Sequence, residues 1–184
     1  MKKTWLFIVI CFAAIQTTSA QFSLTPNGFI NPDSPDNNYV VYEFTGKSQQ
    51  EIYDAAIAYL YSIYVNPDAV LSTAQNNSIT INAFTNNAIQ FAKKVYCDMT
   101  YSLSLQIKDG KLRINAPYVV SMRNSALDLD CYVRGRELFF KTCVFNLKGK
   151  LLNEMALNSL EAFFENYISN LLTGIKAQDN SDEW

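Results

Sequence analysis

In "VYCDMTYSLSLQIKDGKLRINAPYVV", residues 95–120, the chain shows its clearest structural pattern. Apolar and polar side chains alternate over residues 95–108, a pattern typical of a strand with one face in a core and the other in water. Asp109-Gly110 then favours a two-residue type I′ turn, after which the alternation resumes. The stretch therefore predicts a β-hairpin. The predicted pairs are Ile107–Leu112, Leu105–Ile114 and Leu103–Ala116, which place the apolar side chains of both strands on one face.

The polar positions of this hairpin predict a hydroxyl-rich and mostly uncharged sheet face. They are Thr100, Ser102, Ser104, Gln106, Arg113 and Asn115. Antiparallel sheets commonly leave one face in water, so this face can be an ordinary solvated surface or a docking surface for a partner. In the docking case Arg113 is the expected anchor, because its five donors suit a carboxylate or sugar hydroxyls.

Two amphipathic helices and further strands flank the hairpin. Apolar side chains recur with helical periodicity in residues 49–64 and 151–175, and Gly174 is placed to cap the second helix. The remaining strands are predicted at residues 39–45 and 78–84, with one or two more within residues 127–147. We therefore expect the element order β-α-β-β-β-(β)-α.

This order predicts an α+β domain in which a curved antiparallel sheet packs both long helices on its apolar face. The alternative is a helix-grip fold, in which the sheet wraps a helix around a ligand cavity. The chain has 184 residues. The 164 that remain after removal of residues 1–20, which are described below, have a length that suits a single domain.

The N-terminus has the features of a secretory signal peptide at residues 1–20. Lys2-Lys3 precedes an uncharged apolar run that reaches Ile15, and the segment ends in Thr18-Ser19-Ala20. The run is shorter than the ~20 residues that cross a bilayer, so we expect no transmembrane segment. Export to the periplasm or the cell exterior follows. The rest is predicted as an extended leader at residues 21–38, a single α+β domain at 39–176 and an acidic tail at 177–184.

Gly46-Lys47-Ser48 lies between a strand and a helix, where a phosphate-binding loop is found in other proteins. Such a loop needs another glycine five positions earlier, and that position is Val41. Ser48 followed by Glu51 is instead the pattern of a capping box at a helix N-terminus. We therefore predict a cap and no nucleotide cofactor.

The composition excludes several kinds of site. The chain has no histidine, which rules out histidine-based triads, general bases and metal ligands. After removal of the signal peptide, 13 basic and 17 acidic residues remain, a net charge of −4. Nucleic-acid binding depends on neutralising phosphates, so nucleic acid is not an expected partner. No metal and no other cofactor are predicted.

Three cysteines remain after export, and in an oxidising compartment two of them can form a disulfide. Cys97 belongs to the buried face of the hairpin. Cys131 and Cys143 flank the Gly135 turn, and a hairpin there would bring them within bridging distance. We predict a Cys131–Cys143 disulfide, with three free thiols as the alternative.

A glycosidase-like mechanism would need two carboxylates converging on a cleft, one of them with a raised pKa. The candidates are Glu43, Asp98, Asp128, Asp130 and Glu137. Glu43 and Asp98 fall at strand positions that face solvent, and the Asp128–Asp130 pair lacks the glycine and oxygen spacing of a calcium loop. No catalytic residue is therefore predicted.

The helix start carries a family resemblance. Gly46, Ser48, Glu51, Ile52, Tyr53, Ala56, Tyr59 and Leu60 fit the pattern G-x-S-x-x-E-[IL]-Y-x-x-A-x-x-aromatic-[IL], and "IKDGKLRI" follows later. With its signal peptide, the chain resembles an exported domain-of-unknown-function family with a TATA-binding-protein-like (TBP-like) fold, common in Bacteroidota. The resemblance implies a fold and an envelope location, and brings no known activity or DNA binding.

The function predicted from the sequence is a non-catalytic secreted or periplasmic binding module. Its partner is an unidentified envelope protein, glycan or small ligand. A carrier of an apolar small ligand, built like a helix-grip protein, is the first alternative, suggested by 23 Phe and Tyr residues. A carboxylate-based glycan-active enzyme is the second.

Overall fold

The computed structural model describes residues 21–136 and 142–179. The predicted signal peptide, the first five residues of the strand expected at "ELFFKTCVF" and residues 180–184 of the predicted tail lie outside the described residues. The strands are β1 Ser23–Thr25, β2 Gly28–Ile30, β3 Tyr39–Glu43, β4 Leu71–Ala74, β5 Ser78–Ala92, β6 Val95–Lys108, β7 Lys111–Asn115, β8 Tyr118–Asn124, β9 Leu129–Gly135 and β10 Cys143–Asn146. The helices are α1 Gln49–Ile63, α2 Pro67–Val70 and α3 Glu154–Asp179.

The main sheet is organised around β6. Its order is β10-β9-β8-β6-β5-β4, and β7 with β3 also pairs beside β6. β8 bonds the N-terminal half of β6 and β7 bonds the C-terminal half, while β5 pairs along nearly the whole strand. We call β7 with β3 the β3–β7 wing, and β8 with β9 and β10 the β8–β9–β10 wing. All pairs are antiparallel except β9 with β10.

Both long helices pack on the inner face of this sheet. The inward side chains of β6, from Cys97 to Ile107, are at most 2% exposed. Ala56 and Leu60 of α1 and Leu160 and Ile168 of α3 are fully buried in the same core. The predicted α+β architecture is confirmed. The sheet does not close, so the helix-grip alternative is not the fold.

The central hairpin has the predicted register but a different turn. Ile107 lies opposite Leu112 and Leu105 opposite Ile114. Of the two turn residues only Gly110 has a positive φ, +69°, whereas a type I′ turn needs positive values at both. Neighbouring backbone holds the turn, since Phe44 N donates to Gly110 O at 2.7 Å and Gly110 N to Lys47 O at 2.8 Å.

Helix α1 begins with the predicted capping box. Ser48 Oγ accepts from Glu51 N at 3.3 Å, and Glu51 Oε2 accepts from Ser48 N at 2.8 Å. The hydrogen bonds from the Ser48 side chain and backbone lower the pKa of Glu51. Gln49 N, another donor of the first turn, is bonded by Asp109 Oδ1 at 2.8 Å. The start of α1 is thereby tied to the hairpin turn.

Gly174 does not cap α3, because the helix continues to Asp179. A Cβ at Gly174 would lie 2.1 Å from two ring carbons of Tyr59 on α1. The glycine is therefore needed for the close approach of the two helices. Periodicity alone could not distinguish this packing role from a helix end, because glycine serves both.

The sequence predicts an extended leader at residues 21–38, but this segment folds onto the domain. β1 and β2 form a small antiparallel sheet, and Phe22, Leu24 and Phe29 are buried. Leu24 N donates to Glu161 Oε1 at 2.8 Å, and the Phe29 ring meets Phe164 edge-on at 5.0 Å between centroids. Contacts with α3, which lies far away in the sequence, order this segment.

The described part of residues 127–147 contributes two strands, β9 and β10, within the predicted number, but the returning arm of the hairpin is less regular than expected. The returning arm of the hairpin stops at Asn115 and resumes at Tyr118 as β8, so the predicted Leu103–Ala116 pair is absent from the ladder. Pro117 lies in this break and has no N–H to donate. A register shift in the β6–β8 pairing follows between Thr100 and Tyr101.

Candidate binding face

The structure places all six polar hairpin residues on the outer face of the sheet. Thr100, Ser102, Ser104 and Gln106 lie on β6, and Arg113 and Asn115 lie on β7. Gln106 is exposed and the other five are half-buried. Gln106 and Arg113 are direct partners across the ladder, so their side chains leave the sheet side by side.

Arg113 is held in one orientation by two neighbours. Its guanidinium carbon lies 3.7 Å from the ring centroid of Tyr39 on β3, and its Nε donates to Asn115 Oδ1 at 2.9 Å. Within the described part of the chain, its two terminal nitrogens have no hydrogen-bond partner. The stack and the bond to Asn115 fix the guanidinium plane and leave those terminal donors available.

Two hollows flank this arginine. One of about 220 Å³ is lined by Tyr39, Val41, Gln106, Lys108, Lys111 and Arg113. The other, of about 410 Å³, includes Asn27, Asn38, Tyr39, Arg113, Asn115 and Tyr118 in its wall. Three of the six residues lining the smaller hollow are basic. Glu43 lies next to it and pairs with Lys111 at 3.2 Å, which offsets part of that charge.

Large exposed rings on this face were not predicted as site residues. Tyr118 is 67% exposed and Phe84 is 60% exposed. Tyr118 lies opposite Ser102, and Phe84 lies opposite Thr100. Tyr39 reaches Arg113 only because β3 pairs with β7, and no local sequence signal indicates that pairing. The sequence shows an aromatic residue at Tyr118. The face of the sheet to which its side chain points depends on the register shift between β6 and β8, which the sequence does not show.

Within the described residues, each carboxylate considered for catalysis is held by a hydrogen bond or an ion pair. Asp98 accepts hydrogen bonds from Asn87 N at 2.8 Å and from Ser125 Oγ. Both bonds lower the pKa of Asp98, and the bond from Ser125 has the larger effect. Asp128 and Asp130 both bind Arg123. Glu43 is paired with Lys111 in the other wing, and Glu137 lies outside the described residues. In residues 21–136 and 142–179, no three His, Cys, Asp or Glu side chains group as metal ligands.

The cysteines differ from the predicted pairing. No disulfide joins Cys97, Cys131 and Cys143, the cysteines of the described chain. β9 and β10 run parallel with Cys143 opposite Tyr132, so the neighbouring Cys131 points to the other face of its strand. Cys131 Sγ instead lies 3.0 Å from Cys97 Sγ, and Cys143 Sγ lies 3.3 Å from the carbonyl oxygen of Arg136. The predicted hairpin does not form.

A third hollow, of about 660 Å³, lies at the opposite end of the sheet, where α3 begins. Phe91, Leu129, Cys131, Leu152 and Met155 supply much of its wall. The buried side chain of Asn153 in this wall already has two partners. Its Nδ2 donates to Phe91 O at 2.9 Å, and its Oδ1 accepts from Ala156 N at 3.1 Å. The volume suits a small molecule, and the wall is mainly apolar.

No helix within the described ranges is both long and apolar enough to cross a membrane.

Comparisons with known proteins add two solved structures. No family model matches the chain, and no curated protein matches it. A TBP-like protein from Parabacteroides distasonis is 14% identical, with a TM-score of 0.48 over 79% of this chain and 92% of that one. A DUF4468 family protein from Bacteroides ovatus is 9% identical, with the same TM-score over 79% and 86%.

Proposed function

We propose that this chain is a non-catalytic, exported binding module that holds a carboxylate-bearing glycan on the outer sheet face around Arg113. The carrying observation is the fixed guanidinium, stacked on Tyr39 and bonded to Asn115 with its terminal nitrogens unpartnered in the described chain. The two hollows beside it provide room for ring-sized groups.

A carboxylate fits this arginine better than a neutral group does. The two terminal nitrogens of a guanidinium match the two oxygens of a carboxylate, and such charge-assisted pairs are stronger than neutral hydrogen bonds. Because Tyr39 and Asn115 already restrict Arg113, little side-chain entropy is lost on binding. Lys108 and Lys111 line the adjoining hollow and add positive charge.

The surrounding side chains favour a sugar over a protein surface. The amides of Asn38, Asn115 and Gln106 can both donate to and accept from sugar hydroxyls. Tyr118 exposes a flat ring against which the C–H face of a sugar can pack. A typical protein interface buries about 800 Å² per partner around an apolar centre, whereas these hollows are small and mixed in polarity.

The test uses an array of uronic-acid oligosaccharides beside their methyl-esterified, neutral counterparts, followed by calorimetry on the best probe. Binding of the acidic form is expected to be at least about tenfold tighter than that of the ester, because a hydrogen bond to a charged group is worth ~1.5–3 kcal/mol. Arg113→Ala should remove this difference. Arg113→Lys should recover only part of it, because lysine lacks the planar fork.

Arg123→Ala is the matched control, because Arg123 lies in the β8–β9–β10 wing and is bound to Asp128 and Asp130. It should bind the acidic probe as the parent does. Equal binding of acid and ester, or an unchanged affinity in Arg113→Ala, would contradict the proposal. Binding of acidic peptides with no binding of any glycan would assign the face to a protein partner instead.

Export is the second part of the proposal and is supported by the sequence of residues 1–20. Expression of the full chain in a Gram-negative host should give a periplasmic or secreted product that begins at Gln21. Fractionation with N-terminal sequencing tests this. An uncleaved chain in the cytoplasm would overturn the location without affecting the glycan assay.

The third hollow favours a second candidate function, the carriage of a small apolar ligand. This candidate function is supported by the volume of the hollow, about 660 Å³, and by its mainly apolar wall. Native mass spectrometry of protein purified from the cell envelope of its native host should then show a bound small molecule. The Leu152→Asp variant should lack this molecule. A ligand-free parent protein would reject this candidate.

A further inference from the structure

The thiols of Cys97 and Cys131 meet on the buried face of the sheet. Cys97 lies on β6 and Cys131 on β9, with β8 between these strands. Their Sγ atoms are 3.0 Å apart, closer than the ~3.5–4.0 Å at which even the smaller carbon atoms pack without a bond. The contact is therefore more than side-chain packing.

We propose that Cys97 and Cys131 are a disulfide-forming pair, oxidised by the disulfide of a thiol–disulfide oxidoreductase or of a small molecule such as oxidised glutathione. A disulfide has an S–S length of ~2.05 Å, so the two sulfurs need to approach by only about 1 Å. The bond would span β8 and fasten the β8–β9–β10 wing to the central strand.

Access and reactivity point to Cys131 as the thiol that reacts first. Cys97 is fully buried, whereas Cys131 is 6% exposed and lines the hollow of about 660 Å³. The hydrogen bond from Cys97 lowers the pKa of Cys131, while the same contact and burial raise the pKa of Cys97. The thiolate is the attacking species in disulfide exchange, which assigns the first attack to Cys131.

The exchange proceeds in two balanced steps. Cys131 loses its proton and attacks one sulfur of the donor disulfide, and the other donor sulfur leaves as a thiolate that takes up a proton. Cys97 then loses its proton and attacks Cys131 Sγ in the mixed disulfide, and the second donor sulfur leaves as a thiol. Two protein thiols are oxidised and one donor disulfide is reduced to two thiols.

Trypsin separates the three cysteines, which makes the pairing measurable. Cleavage after Lys and Arg gives the peptides 95–108, 124–134 and 142–148, with one cysteine each. Purified protein is reduced, freed of reductant, incubated with oxidised glutathione, alkylated in denaturant and digested. Mass spectrometry should find 95–108 joined to 124–134, two hydrogens lighter than the sum, and 142–148 alkylated.

Cys143→Ser is the matched control and should keep the cross-link, whereas Cys131→Ser should lose it. Alkylation of all three cysteines, or a link between 124–134 and 142–148, would overturn the proposal. The bridge should also raise the Tm of the oxidised parent by roughly 5–15 °C over the reduced form, with no such shift in Cys131→Ser. This experiment is independent of glycan binding and of export.

Discussion

The β3–β7 wing and the β8–β9–β10 wing leave the same edge of β6, but only the first keeps one register throughout. β3 pairs with β7 over five consecutive residues, and β7 continues the hairpin that a two-residue turn begins. The other wing starts after Pro117, passes a register shift at Thr100/Tyr101 and ends in a parallel pair. The Asp109-Gly110 turn sets the register of β7 on β6, and β3 extends it without interruption. In the other wing the break at Pro117 and the register shift interrupt the pairing with β6.

The same contrast separates the two candidate sites. Arg113 lies in the regular wing, where fixed strand spacing presents its donors to solvent. The Cys97–Cys131 contact joins the irregular wing to β6 on the buried side. Regular pairing gives the outer surface its defined geometry, while the proposed Cys97–Cys131 bond would fasten the irregular wing to β6.

The largest expected effect compares the cores beneath the two wings. Leu112→Ala in β7 should lower the free energy of unfolding by about 3–4 kcal/mol, because this fully buried side chain leaves a cavity in a tightly held hairpin. Met122→Ala in β8 should cost about 2 kcal/mol, because its strand neighbour Cys131 already lines a hollow. Urea unfolding of both variants tests the order, and a larger loss in Met122→Ala would contradict it.

The contact between the two helices comes next. Gly174→Ala should destabilise by about 1–3 kcal/mol, because the added Cβ meets the Tyr59 ring at 2.1 Å and helix propensity returns only ~1 kcal/mol. Thermal unfolding measures the loss. In a Tyr59→Ala background the same substitution should be neutral or stabilising, and a loss that persists there would show that the ring is not the cause.

The hairpin turn should show a smaller effect. Gly110→Ala is expected to cost about 1 kcal/mol, since φ is +69° but the nearest atom to an added Cβ is Phe44 O at 3.8 Å. Gly46→Ala, at φ +81° with nothing within 4 Å, is the matched control outside the hairpin and should cost a similar amount. If the urea unfolding midpoint of Gly110→Ala equals that of the parent, the turn does not contribute to the stability of the β3–β7 wing.

The cap of α1 gives the smallest effect and a pH dependence. Ser48→Ala should cost about 0.5–1 kcal/mol by leaving the Glu51 amide without its acceptor. Because the pKa of Glu51 is lowered in the folded state, its stabilisation is present above the ordinary pKa of ~4.3 and is lost as the pH falls through the folded value. The parent should therefore lose more stability than Ser48→Ala between about pH 5 and pH 3, and parallel curves would refute this.

The sequence predicted what short-range patterns control. Alternation over residues 95–108, the Asp109-Gly110 turn and the Ser48–Glu51 cap predicted the central hairpin and the start of α1, and helical periodicity predicted both long helices. It also placed the polar hairpin side chains on one outward face. These features depend on neighbours a few residues apart, which a single sequence displays directly.

Features that depend on distant partners were missed. Gly174 resembles a helix cap until Tyr59 is seen beside it, and residues 21–38 resemble a leader until α3 covers Phe29. The nearness of Cys131 and Cys143 in the sequence suggests a pair, whereas Cys97 is the neighbour of Cys131 in space. The stack of Tyr39 on Arg113 required the β3–β7 pairing, which no turn signal indicates.

That pairing also bears on the order of folding. β5, β6 and β7 are joined by two-residue connections, whereas β3 meets β7 across about 70 residues of chain. Loop closure costs more entropy over longer separations, so we expect the hairpins to form before β3 docks. Val40→Ala in β3 should then speed unfolding and leave the refolding rate nearly unchanged in stopped-flow measurements. On this order Arg113 is present early and acquires its Tyr39 support only after the hairpins have formed, so the proposed binding face would be complete only in the folded domain.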